Sequence, residues 1–475
     1  MDKYKKLVSN TAILSVGTLA SKVLVYLLLP LYTNCLSPNE YSTADLISQT
    51  ANLLLPILAA GMVDGIFRFA IDSSDNPAEH KKVFCISTFI IILGSLVAFA
   101  TIPLLDMSGF FEGYSWLIPL YVIASNFHCS AAHFLRGSGK TKLFSLQGII
   151  STAITIILNV IFLVVFDMGV AGYVLSVIIA DALMTVFLYI KEKLWRYLTP
   201  HNFEGTLAEK MLKYSIPMIP TTIFWWITNV ADRYMIRYFD GGHINGLYAV
   251  AFKVPTLLIL VSGIFSEAWQ YSAVTDGDGE DGQRFFSKVF DSFQSVIFLV
   301  SSGLILFAKL FTKILLADTY AEAWKYMPIL IAATVFSSLV TFMSSVYVKH
   351  KKSMNSFITA MIGAISNIAL NLLLIPKFSA QGAAIATLAC YVIVYVIRAI
   401  DTQRYEKFST KPLTMLLNSL VIAFQCVTML LEVRYWILCG IASVILLALV
   451  NGQALISSAK KVFESVFSRF VKKKS

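Results

Sequence analysis

An all-α polytopic membrane protein of about fourteen transmembrane helices is the fold class this sequence predicts, and three observations predict it. Hydrophobic residues make up 57 % of the 475 positions and charged residues only 14 %, against roughly a quarter charged in soluble domains. Mean hydropathy is +0.73. Apolar runs of about 20 residues recur along the whole length, each able to cross ~30 Å of hydrocarbon. Finally, no connection between these runs exceeds about twenty residues, so neither side has room for a soluble catalytic domain and an enzyme is not expected.

The spans fall at roughly 10–32, 42–68, 84–104, 115–135, 144–166, 170–190, 211–236, 245–271, 286–308, 326–348, 355–375, 380–399, 412–431 and 435–456. The first imitates a signal peptide, with the basic start "MDKYKK" ahead of an apolar stretch. That stretch runs on to Tyr32 without a cleavage-site pattern, so it reads as an uncleaved span. An even number of spans puts both termini on one side. Loops on that side hold 29 of the 38 Lys and Arg, and the opposite side holds seven; Lys22 and Lys253 lie inside spans. This asymmetry predicts cytoplasmic termini. It also accounts for the net charge of +10 as membrane bias and attraction to anionic lipids, with no nucleic-acid partner implied.

The chain repeats itself. "NVIFLVVFDMGVAGYVLSVIIA" from Asn159 is echoed by "NLLLIPKFSAQGAAIATLA" from Asn371, and "EYSTADLISQTANLL" (Glu40–Leu54) aligns without gaps to "INGLYAVAFKVPTLL" (Ile244–Leu258). The offsets are similar, and six spans separate the copies. An even number preserves orientation, so the copies are parallel. The expected organisation is a six-helix lobe over 1–195, a second over 205–405, and two further helices with a basic tail over 410–475. Two facing lobes would enclose a central cavity that rocking exposes to alternate sides.

"NLLLIPKFSAQGAAIATLA", "LLADTYAEAWKYMPIL" (Leu315–Leu330), "NVADRYMIRYF" (Asn229–Phe239) and "PLYTNCLSPNEYS" resemble the polysaccharide-export flippases, the O-antigen or capsular repeat-unit (Wzx-type) branch of the multidrug/oligosaccharidyl-lipid/polysaccharide exporter superfamily. The resemblance covers spans 1 to 12. It implies fourteen helices, alternating access, and an undecaprenyl-pyrophosphate-linked oligosaccharide moved across a bacterial cytoplasmic membrane for surface polysaccharide synthesis. It implies no cofactor. Membrane lipids, and a polymerase or glycosyltransferases, would be its partners. One departure is Ser42, which stands where a Gly usually follows "EY" and bears on helix packing.

Polar residues inside the spans are the candidate site, because an ionisable group at mid-bilayer costs at least ~2.5 kcal/mol and faces a wet interior or a partner. Asp45, Gln49 and Asn52 share one stripe of span 2, followed by Asp64 and Arg68; span 7 carries Asn229, Asp232, Arg233 and Arg237; span 8 carries Lys253, Thr256 and Glu267. Lys22, Arg233, Lys253 and Asn229 are the expected cavity residues, since a pyrophosphate calls for cationic donors and the Arg fork suits it. Asp232 and Arg233 are adjacent and cannot face each other squarely. Asp64, Asp232, Glu267 and Asp181 would hold counter-charges or a coupling proton. The bland alternatives are packing and, for Arg68 and Arg237 near span ends, snorkelling.

Two motifs mislead. "GSGKT" (Gly137–Thr141) lacks the earlier glycine of a phosphate loop, Phe134 standing there, and follows a membrane helix. "DGDGEDG" (Asp276–Gly282) lacks the calcium-loop glycine and terminal Glu. His128 and His133 are five apart, wrong for one metal, and the six cysteines are scattered; no metal is expected. Two alternatives stay open: a cation-coupled small-molecule exporter of the same superfamily, and a polytopic glycan polymerase or glycosyltransferase, which usually needs a larger extramembrane loop.

Overall fold

The computed structural model describes Tyr26, residues 28–275 and residues 279–456, and among these residues the chain is helical with no strand. Eight of the described helices are long and apolar enough to cross a membrane, and one bent pair makes a ninth. Two of the eight, 205–263 and 353–404, each contain a break where the sequence predicts two spans. The expected spans 2 to 14 all coincide with helices, the last of them shorter than expected at Trp436–Val450. The protein is a multi-pass membrane bundle.

The helices form two compact units: Met1–Ala249 with Leu315–Tyr320, and Val250–Ile314 with Ala321–Ser475. The first unit contains α1 (Leu29–Cys35), α2 (Pro38–Leu58), α3 (Met62–Asp72), α4 (Pro77–Ala100), α5 (Ile102–Met107), α6 (Leu117–Gly137), α7 (Thr141–Asn159), α8 (Gly169–Lys191), α9 (Gly205–Ser215) and most of α10 (Ile219–Ala251). It therefore takes in chain beyond residue 200, because α10 is tied to α2 by side-chain bonds described below. Its starts are locally encoded. The Ser37 hydroxyl accepts from Glu40 N, while Glu40 Oε2 accepts from Ser37 N at 2.8 Å, a capping box with Pro38 at the first helical position. Asn76 caps α4 by accepting from the backbone of Ala78 and Glu79.

Span 2 is bent by 49° between α2 and α3, where one continuous span is expected. Ala60 and Gly61 have φ of +48° and +69°. A Cβ on Gly61 would meet the Ser215 carbonyl oxygen at 2.7 Å, so α9 packs against bare backbone there. Gly137 has the same kind of reason: a Cβ would lie 2.7 Å from Phe67 O and from Ala70 Cβ. The glycine of the apparent phosphate loop is a helix-crossing residue.

Met62, Ile66, Phe84, Phe134 and Met211 form one core cluster, and Ala44, Ile47, Val122 and Val174 belong to another. Large apolar side chains also cover the outside, including Leu96 and Val97 on α4 and Ile157 on α7. Such a surface would be unfavourable in water by about 25 cal/mol per Å² and fits hydrocarbon. Charges gather at the helix ends. Lys82 pairs with Glu204 at 2.8 Å, and Lys140 with Glu192, at the charge-rich end. The Lys82 hydrogen bond holds the Glu204 carboxyl below its usual range.

The second unit contains α11 (Lys253–Thr275), α12 (Gly279–Leu306), α13 (Ala308–Leu315, its last residue falling in the first unit), α14 (Met327–Lys349), α15 (Ser353–Asp401), α16 (Pro412–Leu430) and α17 (Trp436–Val450). At its charge-rich end Lys349 pairs with Glu406 at 2.7 Å and Lys411 with Asp291 at 2.6 Å. At the other, Lys309 pairs with Glu432 and lies over the rings of Trp324 and Trp436. Inside, Asn418 and Asn451 exchange amide hydrogen bonds of 2.9 and 3.1 Å.

The sequence echo is a structural repeat. Asn159 and Asn371 are both fully buried. Eight residues on, Asp167 and Ser379 both take positive φ, +48° and +53°, and reverse the chain into the next helix. Gly172 and Gly382 then cross the preceding helix at equivalent points. A Cβ at Gly172 would lie 3.1 Å from Phe162 Cβ, and one at Gly382 would lie 2.3 Å from Leu374 O. The unequal contacts give a test. Gly382→Val meets backbone, so it should destabilise the protein by roughly 1–3 kcal/mol, the usual range for overpacking. Gly172→Val meets side-chain carbons first and should lose less. Thermal unfolding midpoints of the purified variants check this, and equal losses would show that the backbone contact is not the cause.

Candidate functional site

The polar interior of the first unit centres on α2 and α10. Arg233 is 4 % exposed, and its Nη1 lies 2.6 Å from Asp45 Oδ2. The neighbouring Asp232 is 1 % exposed. Its Oδ1 accepts from the Arg233 backbone N–H at 2.9 Å and its Oδ2 accepts from the Tyr248 hydroxyl at 2.5 Å. One carboxylate, Asp45, therefore pairs with the guanidinium, and a second, Asp232, is bonded to the same residue's backbone, among buried side chains where charges interact far more strongly than in water.

Hydrogen bonds extend this cluster along both helices. Asn245 Nδ2 donates to Ser42 Oγ at 2.8 Å, Trp226 Nε1 donates to Gln49 O at 3.0 Å, and the hydroxyls of Thr50 and Tyr234 lie 2.6 Å apart. Arg237 pairs with Glu112, which also accepts from Thr43 at 3.2 Å. Ser42, the departure from glycine, is fully buried and supplies the acceptor for Asn245. Its repeat partner Gly246 has no such freedom, because a Cβ there would lie 1.9 Å from Pro38 O. The chain reverses at Gly241 (φ +84°), which lets both halves of α10 lie along α2. Tyr32, Tyr41, Tyr173 and Tyr320 pack edge to face beside it, with centroids 4.7 to 6.2 Å apart.

The expected site residues distribute as follows. Arg233 and Asp232 lie in this cluster. Asn229 is one turn earlier on α10 and donates to Trp225 O at 2.7 Å. Asp64 is exposed on the first turn of α3, and Arg68 pairs with Asp72 at 3.2 Å. Asp181 sits on α8, where it accepts from Ser125 at 2.5 Å and faces His128 Nδ1 at 2.8 Å. Lys253 belongs to the second unit, half-buried at the start of α11. Lys22 and the Glu267 side chain lie outside the described residues.

Sequence reasoning did not single out Asp45 as the acid for Arg233, nor Tyr248, Asn245 or Glu112. Asp45 carried a signal, its place on a polar stripe of span 2. A second omission is Arg398, at the end of the expected span 380–399, which is fully buried. Its Nε and Nη2 donate to Thr359 Oγ1 at 3.0 and 2.8 Å and its Nη1 to Val340 O at 2.9 Å.

Several known proteins are similar to this chain. The uncharacterized membrane protein MJ1375 of Methanocaldococcus jannaschii is 23 % identical over 421 residues, covering 82 % of this chain and 96 % of that one. Among solved structures, the lipid II flippase MurJ in an inward closed conformation superposes with a TM-score of 0.68 at 16 % identity, over 94 % of this chain and 99 % of MurJ. An inward-facing multidrug resistance MATE family transporter of the MOP superfamily superposes with a TM-score of 0.67 at 14 % identity, over 82 % of this chain and 96 % of the transporter. The fold is therefore shared with these two solved structures. The family described as polysaccharide biosynthesis protein matches residues 7–270, more than half of the sequence, and the chain belongs to that family.

Proposed function

We propose that this protein is a flippase that moves lipid-linked oligosaccharide repeat units across the bacterial cytoplasmic membrane by alternating access. The observation that carries this reading is the buried Arg233–Asp45 pair, 2.6 Å apart, inside a bundle whose outside is apolar. A charge held there by one carboxylate can be traded for another anion. A pyrophosphate offers the guanidinium fork the same planar pair of acceptors as a carboxylate, so an arriving lipid-linked headgroup would compete with Asp45 for Arg233. Substrate binding and release of the α2–α10 contact would then be one event. Undecaprenyl pyrophosphate is the proposed carrier lipid, and O-antigen or capsule the proposed destination of the glycan. A polymerase or glycosyltransferases would act before and after transport. Lys22, Lys253 and Asn229 remain proposed cavity residues, with Asp64 and Glu267 as counter-charges.

The reading requires loss of the protein to stop surface glycan assembly while its lipid-linked precursor continues to be made. The precursor should accumulate on the cytoplasmic leaflet of a deletion strain, measured by extraction and mass spectrometry. If purified protein in proteoliposomes instead formed glycosidic bonds from nucleotide sugars, the enzyme reading would replace this one. Orientation follows from the 29-to-7 charge split. Reporter fusions after Lys142 and Lys352 should both report cytoplasm, and an external signal at either would break the topology.

A further inference from the structure

A second polar cluster lies in the first unit, away from Arg233. His128 is 8 % exposed, Gln147 5 % and Ser125 4 %, and they meet Asp181 between α6, α7 and α8. Asp181 Oδ1 faces His128 Nδ1 at 2.8 Å, Asp181 Oδ2 accepts from Ser125 Oγ at 2.5 Å, and His128 Nε2 faces Gln147 Oε1 at 2.6 Å. His128 is eleven residues from the start of α6 and nine from its end, roughly 15 Å from either at 1.5 Å per residue. An ionisable pair at that depth in a membrane bundle is a functional candidate by default.

The arrangement accommodates two protonation states, one for each orientation of the Gln147 amide. With the Gln147 oxygen toward the ring, which only accepts, Nε2 carries a hydrogen; with the amide turned over, Nε2 accepts from its NH₂. A carboxylate oxygen also only accepts, so the Nδ1 contact needs a hydrogen too, whether it rests on the ring or on the carboxyl. In the first orientation the pair holds one proton more than a neutral imidazole beside an ionised carboxylate. If that proton leaves Nε2 for solvent, Nε2 becomes an acceptor. Gln147 can then turn its NH₂ toward the ring, while Asp181 keeps the hydrogen bonds from Ser125 and from Nδ1–H. Both states leave every group of the cluster paired, which buried polar groups require. A histidine is the side chain whose charge changes nearest neutral pH.

We propose that Ser125, His128, Gln147 and Asp181 form a reversible proton-binding site, and that transport uses it to couple to a proton gradient. The second half rests on the transport reading; the first does not. Other titratable groups act on the site: Tyr121 and Cys129 on α6 interact with Asp181 and His133 of α6 with His128, while Asp64 of α3 acts on Cys129 and His133. Arg136 acts on His133. Of these, Asp64 and Arg136 are the groups that bring a charge to this region near neutral pH.

The test is NMR of full-length protein in nanodiscs with ring-¹⁵N-labelled histidine, from pH 5 to 9, with the His128 signal assigned by its loss in His128→Gln. One transition between neutral and charged ring is expected. Asp181→Asn should weaken proton affinity at His128 at least tenfold, and His133→Gln should change it less than threefold. A His128 ring that keeps one state throughout, or a transition unmoved by Asp181→Asn, overturns the site. The double variant His128→Gln/Asp181→Asn keeps polar side chains at both positions but cannot take the proton. At matched abundance and unfolding midpoint, its glycan export should fall at least tenfold and lose its dependence on external pH. Unchanged export would overturn the coupling role. If the wild-type protein exports no glycan, the flippase reading fails while the titration still reads the site.

Discussion

Arg233→Ala should abolish export and remove most of the folded protein from the membrane, the largest single loss expected in the first unit. The guanidinium and Asp45 are both about 4 % exposed and 2.6 Å apart. Removing one partner of a buried pair leaves the other charge uncompensated, at roughly 3–5 kcal/mol. Asp232, also buried, would lose a neighbouring cation. The double variant Asp45→Asn/Arg233→Gln removes both charges and retains polar side chains of similar size. It should restore much of the membrane abundance, because no lone charge remains. Export should stay low, because no cation is left to trade a carboxylate for a phosphate. Arg233→Lys keeps the charge but loses the fork, so at matched abundance it should recover part of the activity. Full export in the double variant would mean that the pair only holds α2 to α10, and the substrate role would be wrong.

How much of this was legible in the sequence depended on how local each cause was. Helix positions were readable because hydropathy and length act within one span, and the capping box at Ser37 and Glu40 lies within four residues. The repeat was readable for a related reason. Asn159 with Gly172, and Asn371 with Gly382, build a reversal and a helix crossing from 14 and 12 consecutive residues, so the requirement is written twice. The bend at Gly61 was not readable, since its reason is Ser215, far along the chain. The acid that holds Arg233 was hidden in the same way. The nearest acid in sequence is Asp232, yet the ion pair is with Asp45, 188 residues away, and only packing of α10 along α2 brings it there. Asp181 could be suspected as an intramembrane acid. Its pairing with His128 could not, because Ser125, His128 and Gln147 look like ordinary polar packing until three helices meet.

Arg398→Ala should cause the largest stability loss in the second unit, about 2–5 kcal/mol as for other large-to-small core changes. The side chain is fully buried and spans from α14 to both halves of α15. It bonds Val340 O, Ser344 Oγ and Thr359 Oγ1 and lies over the Tyr347 ring at 5.4 Å. Two effects compete, and they can be separated. One is volume: alanine leaves a cavity where a long side chain filled the space between helices. The other is the set of charge-assisted hydrogen bonds, each worth about 1.5–3 kcal/mol net. Those acceptors keep other bonds when the guanidinium goes. Ser344 Oγ still donates to Val340 O at 3.2 Å, and Thr359 Oγ1 still donates to Asn355 O at 2.9 Å. Removing the charge also removes its desolvation penalty, which for buried ions often equals what their partners return. Arg398→Met, which restores most of the length without the charge, should therefore recover most of the unfolding midpoint lost in Arg398→Ala. If methionine proves as damaging as alanine, the guanidinium hydrogen bonds, and not the packed volume, hold α14 against α15.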